Sequence, residues 1–202
     1  MSPFLQKLFK PTPTQVVTVV SGLPRSGTSM MMRLLDEGGI PPLTDEIREA
    51  DKDNPKGYYE FERVKKLDEG DTAWVEDAQG KAVKVISALL KHLPEGYTYK
   101  VIFMRRKIEE ILASQRQMLI RRGEPTDSAS DEELTELFGK HLAQIQAWID
   151  GQPNVEAIHV SYNDVMEKPL EQSERINQFL GDTLDVGKMV GVVDQALYRQ
   201  RG

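Results

Sequence analysis

A three-layer α/β fold, with a mostly parallel central sheet flanked by helices, is predicted by three segments in which an apolar run passes directly into a helical pattern. They are residues 16–38, 99–120 and 155–181. Parallel neighbours need a crossover between them, usually a helix. Strands covered on both faces read as near-continuous apolar runs rather than as alternation. No internal repeat and no long linker breaks this order, so the sequence divides into an N-terminal arm over 1–15, ending in Pro11-Thr12-Pro13, and one domain over 16–202.

The first unit reads VVTVVSGLPRSGTSMMMRLLDEG. Gly22 and Gly27 stand at the spacing of the nucleotide-binding P-loop, and both can adopt the angles that turn successive N–H groups toward an anion at a helix start. A nucleoside-triphosphate loop continues with Lys and then Ser/Thr. Here the pair is Thr28-Ser29, and the cation lies inside the loop at Arg25, whose planar fork can hold two oxygens of a tetrahedral anion. Gly22, Pro24, Arg25, Ser26, Gly27, Thr28 and Ser29 are therefore the candidate cradle. A glycine-rich turn is elsewhere only a tight connection, but the apolar strand before it and the hydroxyl pair at the helix start are the flanks that a cradle needs.

After the first helix, Asn54-Pro55-Lys56-Gly57 reads as a turn, with Tyr58 and Tyr59 opening a helix through Leu67. Lys84, in KAVKVIS, has a strand setting. The second unit, YKVIFMRR, is a buried strand ending in two arginines, and a helical pattern, IEEILASQRQML, follows. Strand carboxyl ends are where α/β sheets bind ligands. Arg106 and Ser114, eight residues apart, can converge on one phosphate if the helix packs back on the sheet, with Arg105 facing the other way; the competing arrangement pairs these arginines with Glu109 or Glu110. The polar stretch 121–136 leads into a helix over about 131–150, with Ser130 and Glu133 as a capping box. The third unit is a strand from Val155, a turn of helix through Tyr162-Asn163-Asp164, and an amphipathic helix after Pro169. Tyr162 fits either a ligand wall or a core position with a hydrogen-bonded hydroxyl.

Pro24-Arg25-Ser26-Gly27-Thr28-Ser29 resembles the phosphosulfate loop of sulfotransferases that use 3′-phosphoadenosine 5′-phosphosulfate (PAPS), the tyrosylprotein and bacterial versions most of all. The Arg106/Ser114 spacing and the segment from Tyr162 to Phe179-Leu180-Gly181 are similar to family elements in the same order, so the resemblance spans residues 16 to about 185. It implies a P-loop (NTPase-like) fold, with Thr28 and Ser29 on the 5′-phosphate, Arg106 and Ser114 on the 3′-phosphate, Tyr162 near the adenine, and Lys84 with Arg25 balancing charge on the sulfuryl group. The implied reaction moves that group from PAPS to a hydroxyl or amine of a small-molecule or peptide acceptor, leaving adenosine 3′,5′-bisphosphate and requiring no metal. The chain departs from the cytosolic branch at Met30, where that branch has an adenine-stacking tryptophan, and after Lys84, where Val85-Ile86-Ser87 lacks its catalytic histidine. The tyrosylprotein branch uses a glutamate after the first helix, which makes Asp45 and Glu46 the base candidates, with Asp51 and Glu60 as further possibilities. LYRQRG, at 197–202, loosely resembles the loop that closes on the 3′-phosphate. A P-loop kinase or hydrolase, or a nucleotide-binding domain without turnover, remains an alternative.

Composition bounds other functions. A net charge of −6 argues against general nucleic-acid binding, while the absence of cysteine and only three histidines, His92, His141 and His159, leave no thiolate or histidine metal cluster. None of the histidines lies in a catalytic motif; His92 fits a helix end before Pro94. The longest apolar runs fall far short of the ~20 residues of a membrane helix, and MSPFLQKLFKPTPTQ lacks the continuous apolar region of a signal peptide, so a cytoplasmic location is expected.

Overall fold

The computed structural model describes residues 16–45, 57–126 and 129–194. Its sheet has four parallel strands, β1 (Val16–Gly22), β2 (Ala82–Lys84), β3 (Thr98–Arg105) and β4 (Val155–Ser161), in the order β2-β1-β3-β4. After β1 the chain pairs first on one side and then, at β3, on the other. That reversal opens a crevice at the strand carboxyl ends.

Alternate side chains of the central strands enter two cores. Val17 and Val19 of β1 join Tyr99, Val101 and Phe103 of β3 in one; Val20 joins Ile102 and Met104 in the other. Side chains two apart share a sheet face, so valine, isoleucine and aromatic residues fit both sides of these strands. The first core is closed by 3₁₀ helices at Glu62–Glu69, Ala73–Ala78 and Ser87–His92 and by α3 (Asp131–Asp150). The second is closed by α1 (Thr28–Gly38), α4 (Tyr162–Glu167), α5 (Pro169–Leu180) and α6 (Val186–Val192). α2 (Ile108–Arg122) follows β3. The outcome is the expected three-layer α/β architecture, a parallel sheet flanked by helices.

The expected helix opening at Tyr58 and Tyr59 is corrected. Residues 57–61 are not helical, and the 3₁₀ helix begins at Glu62. Tyr59 sits at φ 52°, with its hydroxyl donating to Asp36 at 3.3 Å, so a tertiary contact holds the chain out of helix there. The capping box at Ser130 and Glu133 is formed as read from the sequence.

His141, on α3, lies 2.8 Å from the Ser87 hydroxyl, and His159, on β4, accepts from Arg105 Nε through Nδ1 at 3.4 Å. Burial lowers the pKa of both, helped by Lys91 at His141 and by Arg105 at His159. A histidine whose folded pKa is depressed takes up its proton more readily when unfolded. Its stabilising contribution is therefore present above about pH 6.5 and is lost as pH falls below it. The thermal midpoint is expected to drop between pH 7 and 5.5, and a His141→Gln/His159→Gln variant to show a shallower drop. An equal slope in both proteins would mean that other groups control the acid limb.

Candidate active site

The carboxyl ends of all four strands meet a single cleft of about 440 Å³, lined by Gly22 of β1, Lys84 of β2, Arg106 just beyond β3 and Tyr162 just beyond β4. A ligand there faces the start of α1, where the first-turn N–H groups lack carbonyl partners within the helix.

The cradle is shaped by three residues with positive φ: Gly22 at 150°, Arg25 at 70° and Gly27 at 98°. A Cβ on Gly22 would stand 2.8 Å from the Met104 carbonyl oxygen, and one on Gly27 would stand 2.5 Å from the Tyr162 ring, so both glycines are required by close approach as well as by angle. Arg25 holds a left-handed conformation that side chains adopt rarely and that clusters at ligand-binding turns. Ser26 is buried; its hydroxyl donates to the Leu23 carbonyl at 2.7 Å and braces the loop from within rather than lining the cleft. Pro24, Thr28 and Ser29 do line it.

Arg25 Nε donates to Ser114 Oγ at 3.0 Å, which joins the cradle to α2. Arg106 comes to the same place from β3: its Nη1 donates to the Arg25 carbonyl at 3.1 Å, and its guanidinium stacks over the Tyr162 ring, 4.3 Å from the centroid. Arg106 is also paired with Glu110 at 2.8 Å, the competing arrangement weighed from the sequence, with side chains only 8% and 1% exposed. Removing one partner of such a buried pair costs about 3–5 kcal/mol. Arg105 faces the opposite way, toward Phe103, His159 and Gln146.

At the β2 end, Lys84 donates to the Tyr58 carbonyl and, at 3.4 Å, to Ser29 Oγ. Ser29 Oγ itself donates to the Tyr58 carbonyl at 3.2 Å. Glu60 lies 3.7 Å from Lys84 Nζ and lines the cleft. Asp45 does not: its carboxylate accepts from the Glu62 N–H at 2.6 Å, capping the 3₁₀ helix, and it is absent from the cleft wall. Among the described residues, Glu60 is a carboxylate that does line the cleft beside Lys84; the sequence placed it behind Asp45 because chain distance cannot show that Tyr58 runs back over Ser29. Glu46, Asp51, the Asn54-Pro55-Lys56 part of the turn, the N-terminal arm and LYRQRG lie outside the described residues. Met30 lines the cleft where the cytosolic pattern has tryptophan. Sequence reasoning passed over Arg121 and Arg122, which also line it; their i+7 and i+8 spacing from Ser114 was the available signal.

No family model matches this sequence, and no curated protein matches it. Among solved structures it is similar to a sulfotransferase domain from the curacin biosynthetic pathway, at 14% identity, covering 91% of this chain and 79% of that one, with a TM-score of 0.48. A sulfotransferase of Mycobacterium tuberculosis overlaps at 15% identity, 91% and 76% coverage and TM-score 0.49. A sugar kinase of a Janibacter species overlaps at 17% identity, 92% and 98% coverage and TM-score 0.45. All three TM-scores are below 0.5.

Among the described residues, five cationic side chains, Arg25, Lys84, Arg106, Arg121 and Arg122, and two carboxylates, Glu60 and Asp194, line the cleft of a chain whose net charge is −6. Such a concentration favours anions at the cleft. No described helix is long and apolar enough to cross a membrane, and no described cluster of three His, Asp or Glu side chains could hold a metal ion.

Proposed function

We propose that this protein is a sulfotransferase that uses PAPS as donor and a hydroxyl or amine of a small molecule or peptide as acceptor. The observation that carries the reading is the meeting of Arg25, Lys84, Arg106 and Ser114 on one cleft, around a P-loop whose lysine position is occupied by Thr28. The glycine cradle, the cation inside it and a second cationic site one strand away suit a ligand with two separate anionic groups.

The cradle N–H groups, Thr28 and Ser29 hold the 5′-phosphate; Arg106 and Ser114 hold the 3′-phosphate; Tyr162 and Met30 flank the base. The bound donor supplies a sulfuryl group, whose bond to the 5′-phosphate oxygen breaks as one to the acceptor oxygen or nitrogen forms. Lys84 and Arg25 balance the charge left on the phosphate oxygen. Glu60 takes the acceptor's proton, because it is the described carboxylate closest to Lys84 and the cradle. These roles fall within one proposed domain, residues 16–202.

Calorimetric titration with adenosine 3′,5′-bisphosphate in EDTA, beside ATP with and without magnesium, tests the reading. Metal-free binding of the bisphosphate, at least tenfold tighter than ATP, is expected. Magnesium-dependent ATP binding with no response to the bisphosphate would overturn the assignment in favour of a kinase or hydrolase.

A further inference from the structure

The buried carboxylate behind the cleft has no part in the chemistry above. Glu110 is 1% exposed and holds two groups at once: Oε2 accepts from Arg106 Nε at 2.8 Å, and Oε1 accepts from Asn163 Nδ2 at 2.8 Å. Placing a carboxylate directly behind an anion site weakens that site by Coulomb attraction to its own cation. A sequence that keeps it there gains something else, and the geometry shows what.

Three contacts hold Arg106 against the cleft wall. Glu110 holds Nε, the Arg25 carbonyl accepts from Nη1 at 3.1 Å, the Tyr162 ring lies under the guanidinium plane at 4.3 Å, and the side chain lines the cleft. Tyr162 and Asn163 are consecutive at the start of α4, so the residue under the guanidinium and the residue that anchors its carboxylate move together. The Arg25 carbonyl belongs to the left-handed residue of the cradle. The orientation of the arginine fork and the shape of the loop are thus set by one contact chain, Asn163–Glu110–Arg106–Arg25, that spans α4, α2, the end of β3 and the P-loop. A planar fork recognises a phosphate by direction, and its affinity depends on being held in place beforehand.

We propose that Glu110, anchored by Asn163, is a positioning residue that aims Arg106 at the second anionic group of the ligand and thereby sets the preference for a bisphosphorylated over a monophosphorylated nucleotide. The inference rests on the nucleotide reading of the cleft. Glu110 itself touches no ligand.

The test is metal-free titration of wild type, Glu110→Gln and Asn163→Ala with adenosine 3′,5′-bisphosphate, adenosine 5′-monophosphate and ATP. Glu110→Gln is expected to lower the bisphosphate-to-monophosphate affinity ratio at least fivefold, leaving monophosphate affinity within about twofold; Asn163→Ala should shift the ratio in the same direction by less. A carboxylate that merely neutralised Arg106 would act oppositely, its removal strengthening bisphosphate binding, and that result, or an unchanged ratio, overturns the proposal. If Glu110→Gln does not fold, the ratio in Asn163→Ala decides alone. Should wild type bind ATP but not the bisphosphate, the sulfotransferase reading fails by itself, and the positioning role stands or falls on the ATP-to-monophosphate ratio in the same variants. Wild type that binds none of the three overturns both.

Discussion

Glu60→Gln is expected to lower the turnover of sulfuryl transfer by about 10²- to 10⁴-fold, the range a positioned general base supplies, while bisphosphate affinity stays within about threefold. The substitution keeps the shape of the side chain beside Lys84, 3.7 Å away, and removes its capacity to take a proton at the reacting centre. Nucleotide binding is expected to survive because the proposed phosphate contacts come from the loop, Arg106 and Ser114. The effect should be largest for acceptors with weakly acidic hydroxyls and smaller for phenols, which lose their proton with less help. Single-turnover rates on an aliphatic alcohol and a phenol, paired with titration of the bisphosphate, make the comparison. Equal rates in the variant and wild type would take the base role from Glu60. A joint collapse of affinity and rate would instead make it a support for Lys84.

Gly27→Ala is the second large effect, and it reaches the fold as well as the ligand. At φ 98° a Cβ costs about 1–2 kcal/mol in backbone strain. The new atom also stands 2.5 Å from the Tyr162 ring, an overpacking that typically costs a further 1–3 kcal/mol. The tyrosine cannot yield without disturbing Arg106, which stacks on it. Loss of bisphosphate affinity by tenfold or more is therefore expected together with a lower thermal midpoint. Gly39→Ala is the matched control: φ is 111° there and nothing lies within 4 Å of the added carbon, so it bears the strain without the clash. Equal midpoints and equal affinities in the two variants would show that Tyr162 does not pack the loop as described.

The strands and helices of this fold were legible because their signals are local. The apolar run before Gly22, the run before Arg105 and the capping box at Ser130 each state their structure within a few residues. The cradle was legible for the same reason: glycine positions and the Thr28-Ser29 pair are a matter of spacing. The segment from 58 to 61 departs from the expected helix because its conformation is held by partners remote in the chain, Asp36 for Tyr59 and Ser29 with Lys84 for the Tyr58 carbonyl.

By itself, then, the sequence determined the order of the strands and of the helices that follow β1, β3 and β4, the glycine-bounded loop after β1 and the absence of the lysine that would make it a nucleoside-triphosphate loop. Only the tertiary structure decided which carboxylates line the cleft and which stand behind it. Asp45, close to the expected chain position, caps a helix, while Glu60 faces Lys84, and Glu110 leaves the surface of α2 to hold Arg106. The physical reason is range. A backbone angle or a helix cap is fixed by neighbours in sequence, whereas the partner of a charge is whichever opposite charge the crossovers bring within about 4 Å, and that depends on the packing of the whole sheet.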